Sequence, residues 1–125
     1  MEDFVTYDLA LKLKDKGFNW ICSHYYRTKC KDLFMVFPSE DWSNTEERIN
    51  APTISQVLKW LREEKLILIG LSPMQEYDCN EIIEWCCTIF RADKQGGLSW
   101  QEEFYYQSYE QSALAGIEYA LNYLL

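Results

Sequence analysis

At 125 residues, 48% hydrophobic and 16% aromatic, the chain is long enough to bury a core and too apolar to stay disordered. Twelve Lys and Arg against twenty Asp and Glu leave a net charge of -8. That excess argues against binding that rests on neutralising nucleic-acid phosphates and disfavours adhesion to anionic membranes. The start, Met1-Glu2-Asp3, lacks the basic n-region of a signal peptide, and no apolar run approaches the length of a membrane span. Five cysteines, an odd number, suit a reducing cytoplasm. The expectation is one cytoplasmic domain over residues 1–125.

Thr6 to Lys16 reads as the first helix. Thr6 caps it, and Asp8 and the lysines 12, 14 and 16 suit its dipole. Gly17 takes the position after the C-cap, with Phe18 folding back on Leu13 as in a Schellman motif. Residues 19–38 predict two strands, Cys22–Arg27 and Leu33–Phe37, joined by a polar turn and closed by Pro38. Residues 39–50 read as an acidic loop anchored by Trp42. At about a dozen residues it is long for a structureless connection.

The clearest stretch is 51–72. Thr53 and Gln56 form a capping box, and Ile54, Val57, Leu58 and Leu61 recur at the spacing of one buried helical face. Leu66-Ile67-Leu68-Ile69 then reads as an apolar strand, followed by a turn around Pro73. Residues 79–92 fit two periods. Period two puts Ile83, Trp85, Cys87 and Ile89 on one face; period 3.6 makes a stripe of Ile82, Ile83, Cys86, Ile89 and Phe90. The β-branched and aromatic content favours the strand. Asp93–Gly97 is a turn and Leu98–Gln107 an extended aromatic segment. Ser108 and Gln111 open a last helix with Ala113, Leu114, Ile117, Leu121 and Leu124 as its stripe. Gly116, costly within a helix, points to a close approach to a sheet.

Three sets of residues together resemble a family of small, uncharacterised proteins encoded by phages and prophages of gut bacteria. They are Phe4-Val5-Thr6-Tyr7 with Ala10 and Gly17-Phe18; Ala51-Pro52-Thr53 with Gln56, Trp60, Arg62-Glu63 and Lys65; and Ser108-Tyr109-Glu110 with Gly116-Ile117 and Ala120-Leu121. The resemblance implies a phage setting, a bacterial host cell and an α-β-β-α-β-β-α order. It implies no catalytic residue. The fold class expected is α+β, a mainly antiparallel sheet of four or five strands with three helices.

Catalytic and metal motifs are weak. Cys22, His24 and Cys30 lack the paired spacing of a structural zinc site. Adjacent Cys86 and Cys87 on a strand point to opposite faces. His24, the single histidine, has no signature around it, and Ser23 beside it is not placed to hydrogen-bond as a triad requires. Neither a cofactor nor a metal is expected.

The distinctive feature is aromatic residues beyond the core stripes: Tyr25, Tyr26, Trp42, Trp60, Tyr77, Trp100, Tyr105, Tyr106, Tyr119 and Tyr123. Trp60 falls off its helix's stripe, and Tyr119 and Tyr123 pair at i, i+4. Exposed Tyr and Trp anchor interfaces. The leading expectation is a non-enzymatic, acidic accessory protein that binds a host or phage protein through an aromatic patch. Trp42, Trp60, Tyr25, Tyr26, Tyr105, Tyr119 and Tyr123 would carry it, with an anti-defence inhibitor as one form and a homodimer as one arrangement. The alternative is a binder of a signalling nucleotide, with Arg27, Lys29 and Lys31, and Arg62 or Arg91, meeting phosphates. A second alternative is a small enzyme using His24 and a cysteine.

Overall fold

The computed structural model describes residues 3–35, 48–75 and 82–125, and the chain divides into two compact units, residues 1–56 with Leu125 and residues 57–124. The class is α+β.

The first unit opens with Phe4 bridged to Thr53; Val5 N–H donates to Pro52 O and Ile54 N–H to Asp3 O. Helix α1 (Tyr7–Asp15) begins where the sequence says it should, because Thr6 Oγ1 accepts the Leu9 N–H at 3.3 Å. It ends as the glycine predicts. Gly17 takes φ +90°, its N–H reaches Lys14 O, and Phe18 N–H reaches Leu13 O at 2.9 Å, while the Phe18 ring is buried. Those two bonds are the Schellman pair.

Strands β1 (His24–Arg27), β2 (Leu33–Met35) and β3 (Arg48–Asn50) form an antiparallel sheet in the order β2-β1-β3. Strand β3 corrects the expectation of a loop over 39–50, which lacked any periodic signal: three residues with one apolar member, Ile49, show none. Pairing with β1 supplies what the local sequence does not, and Ile49 and Asn50 are buried. The rest of that loop, Trp42 included, lies outside the described residues, as do Tyr77 and Cys79.

Helix α2 (Ile54–Glu64) carries the capping box in full: Gln56 N–H donates to Thr53 Oγ1 at 3.2 Å and Thr53 N–H to Gln56 Oε1 at 2.9 Å. After it, Leu66 turns the chain at φ +57° directly into β4 (Ile67–Gln75). Strands β5 (Ile82–Ala92) and β6 (Leu98–Tyr106) complete the second unit's antiparallel sheet, β4-β5-β6. The structure thus resolves 79–92 as strand over Ile82–Ala92. It also corrects the turn at Pro73: β4 runs through Pro73, which pairs with Trp85. β4 is an edge strand, where a residue without an N–H is tolerated.

The β5–β6 turn is held by Asp93, whose Oδ1 accepts Gln95 N–H at 2.9 Å and Gly97 N–H at 2.8 Å. Helix α3 (Tyr109–Tyr119) starts at Ser108, whose Oγ accepts Gln111 N–H, and widens into a π-helical turn over Ala120–Leu124. One face of the sheet receives this helix. Ser112 Oγ donates to Trp85 O at 3.0 Å, Trp85 meets Tyr109 edge-on, and Gly116 comes down on Cys87 and Ile69. Ile67, Cys87, Ile89, Ala113, Ile117, Ala120 and Leu121 are buried. Arg91 closes the far end, its guanidinium donating to Leu124 O at 2.6 Å. A cation suits the carbonyl end of a helix.

Against the expected α-β-β-α-β-β-α chain with one sheet of four or five strands, the described residues hold six strands in two three-stranded sheets, in the order α-β-β-β-α-β-β-β-α. No helix among them is long and apolar enough to cross a membrane.

Candidate functional site

A strand turns alternate side chains to opposite faces, so β5 and β6 sort the aromatic residues of the second unit into two groups. Cross-strand partners share a face. Cys87 pairs with Phe104 and Trp85 with Tyr106, which puts Phe104 and Tyr106 on the face that receives α3. Cys86 pairs with Tyr105, which faces away.

On the helix side, Phe104 and Tyr106 meet Tyr119 and Tyr123, which project from α3 and its π-helical turn. The rings form a continuous row: Tyr106 to Phe104 at 6.4 Å, Phe104 to Tyr119 edge-on at 5.7 Å, Tyr119 to Tyr123 at 5.0 Å. These four, with Ala115, Glu118 and Asn122, line an open pocket of about 230 Å³. Tyr123 is 73% exposed and Tyr106 40%, whereas Phe104 and Tyr119 are half-buried. The pocket therefore has a fixed floor and an exposed rim. π-Helical turns occur often at functional sites, and this one carries Tyr123.

Glu118 is the one charged residue in the pocket lining. From Gln95 to Leu125 the sequence holds Glu102, Glu103, Glu110 and Glu118 and neither Lys nor Arg, and every lining residue comes from that stretch.

The outer face of the same sheet is a second apolar surface. Leu68, Phe90 and Trp100 lie in register across it, and Leu98, Trp100, Tyr105 and Met74 are exposed. Its polar members are linked: Cys86 Sγ donates to Glu103 Oε1 at 3.4 Å. Glu103, chiefly through its charge, pushes the Tyr105 phenol above its ordinary range.

Of the residues expected to form one aromatic patch, the structure brings together Tyr119 and Tyr123. Tyr105 lies on the opposite face of its sheet. Trp60 is a correction: at 2% exposure it belongs to the core, because the buried side of α2 is Ile54, Val57, Trp60 and Leu61, with Leu58 on its flank. Lys65 caps the indole, its ammonium 5.4 Å from the ring centre. Tyr25 is likewise buried, stacked on Phe34 at 5.8 Å and covered by Arg48 at 4.5 Å. Tyr26 is half-buried and donates its hydroxyl to Val5 O at 2.6 Å; burial pushes that phenol up. Phe104 and Tyr106 are the members the sequence reading omitted from the site. Alternation along β6 was the signal for them, since 104 and 106 share a face that 105 cannot.

The cations assigned to phosphates each have their own setting in the structure. Arg27 stacks over Phe34 at 4.8 Å, Lys31 lies over Tyr7 at 5.3 Å, and Lys29 is an exposed turn residue. Arg62 is exposed on α2, and Arg91 is spent on the Leu124 carbonyl.

The elements of the enzyme reading are also in view. Ser23 Oγ lies 2.8 Å from His24 Nδ1, which corrects the expectation that these neighbours would not pair, and the imidazole packs on Phe4 at 4.4 Å. Cys22 turns its thiol to Trp20 O, and burial pushes that thiol up to about 12, the opposite of an activated nucleophile. Cys30 is exposed in the β1–β2 turn. Among the described residues, no three His, Cys, Asp or Glu side chains gather as metal ligands.

Compared with known protein families, curated proteins and solved structures, the chain matches none.

Proposed function

We propose that this is a non-enzymatic binding protein that holds a protein partner against the pocket between β6 and the end of α3. The observation that supports it most is the row Tyr106-Phe104-Tyr119-Tyr123, half sunk in the core and half exposed. Aromatic side chains on a rigid base lose little conformational freedom on binding, and Tyr and Trp are the residue types most enriched among interface hot spots. Glu118, in the pocket lining, adds a carboxylate beside the row. The resemblance of the two termini and of residues 51–65 supports a phage accessory protein acting in the cytoplasm of a bacterial host. An inhibitor of a host defence protein is one form of that role.

A photo-cross-linking phenylalanine analogue at position 123, with Lys59 on the exposed side of α2 as the control position, tests the reading in host lysate. A defined cross-linked band from position 123 and none from position 59 is expected. Bands of equal strength from both positions, or from neither, would overturn it.

A further inference from the structure

We infer that the pocket is a receptor for an arginine side chain presented by a basic segment of the partner protein; this rests on the binding role above and gives its partner a chemistry. Three observations converge. The walls are aromatic: the faces and edges of Phe104, Tyr106, Tyr119 and Tyr123 succeed one another at 5.0 to 6.4 Å. A guanidinium laid over such rings is attracted by their quadrupoles, and it stacks on them as an ammonium does not. Glu118 lines the pocket, and none of the lining residues is a cation. An anionic or phosphorylated ligand would meet the Glu118 carboxylate and no positive side chain in the lining. The size is the third constraint. At about 230 Å³ the pocket falls below the roughly 300–1,000 Å³ of sites that enclose a whole small molecule. It suits one side chain of a larger partner.

The same protein already uses this chemistry elsewhere, with Arg27 over Phe34 and Arg48 over Tyr25. In the pocket row, by contrast, four rings are assembled and none of the lining residues is a cation.

The test is an NMR titration of the full chain with hexa-arginine peptide, read on the ring signals of Phe104, Tyr106, Tyr119 and Tyr123. A hexa-citrulline peptide, which keeps the planar shape and most of the size, exchanges one NH2 for a carbonyl oxygen and loses the charge, is the matched control. Saturable shifts at the four rings are expected, with citrulline at least about tenfold weaker and the affinity falling as salt rises. Tyr123→Leu, at an exposed position, should weaken hexa-arginine binding by about threefold or more, and Trp100→Leu on the opposite sheet face should leave it unchanged. Equal binding of the citrulline peptide, or shifts that spread over the acidic surface and spare the rings, would overturn the assignment. So would saturation of the same rings by choline with no response to hexa-arginine, which would give the pocket to a free quaternary ammonium. The two proposals fail separately. A partner cross-linked from position 123 with no ring response to hexa-arginine keeps the binding role and removes its cationic chemistry. Without that cross-link the binding role itself falls.

Discussion

Gly116 and Cys87 are in such close contact that a methyl group on the glycine would stand 2.6 Å from the Cys87 sulfur, with Ile69 Cγ2 at 3.2 Å on its other side. That approach lets α3 lie flat on the β4-β5-β6 sheet and fixes where the π-helical turn, and Tyr123 with it, emerges.

Gly116→Ala sets two effects against each other. Alanine gains about 1 kcal/mol of helix propensity, while overpacking a tight core costs about 1–3 kcal/mol. Cys87 is fully buried and Ile69 is branched at Cβ, so neither neighbour yields easily and the clash should win. Denaturant unfolding should show a loss of about 1–2 kcal/mol. The same substitution in a Cys87→Ala background should cost clearly less, because the sulfur is gone. Equal losses in both backgrounds would show that Cys87 is not the obstacle.

Trp60 and Tyr123 should separate by the property each controls. Truncating a fully buried tryptophan removes a large part of the core, so Trp60→Ala should lose about 3–5 kcal/mol. Tyr123→Ala, at 73% exposure, should stay within about 0.5 kcal/mol of the parent. Paired urea titrations check this. A mild effect of Trp60→Ala would return that residue to the surface.

The buried thiols should make the fold sensitive to alkali. Burial pushes Cys22 and Cys87 up to about 12, with the charge of Cys86 adding at Cys87. In the unfolded chain a thiol ionises near its ordinary value of 9.0, so above that pH the unfolded state releases protons the folded state keeps. Stability from these groups is fully present below pH 9 and falls as the pH rises from 9 toward 12. Urea midpoints taken between pH 8 and 11 should decline, and the decline should be shallower in Cys22→Ala/Cys87→Ala. An unchanged slope in that variant would exclude the thiols as the cause.

Thiol labelling mapped by mass spectrometry gives an independent reading of the same burial. Cys30, exposed in the β1–β2 turn, should react with a soluble disulfide reagent in the native protein. Cys22 and Cys87 should react only as the protein opens. Fast native labelling of Cys87 would contradict the packing of α3 on its sheet.

What could be read from the sequence was what local chemistry decides. Thr6 with Gly17 and Phe18, and Thr53 with Gln56, specify backbone bonds within a few residues of themselves, and the structure makes those bonds. Gly116 was legible because a glycine inside a helix has a cost that needs a reason. The misread features depend on distant partners. Strand β3 exists only through β1, and Pro73 is tolerated only because β4 ends up at an edge. Trp60 was placed by an angle measured from a stripe drawn through Leu58. The buried side of α2 is turned toward Trp60 instead, a choice made by what packs there. The candidate site was half legible. The i, i+4 pairing gave Tyr119 and Tyr123, whereas Phe104 and Tyr106 required knowing which face of β6 meets α3.

The central claim is that binding resides in the row of rings beside α3 and not on the outer face of the same sheet. For the partner cross-linked from position 123, the dissociation constants of Tyr123→Ala and Trp100→Ala compare the two surfaces directly. Both positions are well exposed, so both variants should fold. A rise of about tenfold or more for Tyr123→Ala, equivalent to about 1.4 kcal/mol, with Trp100→Ala within about twofold of the parent, is the predicted result. A large loss for Trp100→Ala with Tyr123→Ala unaffected would contradict it.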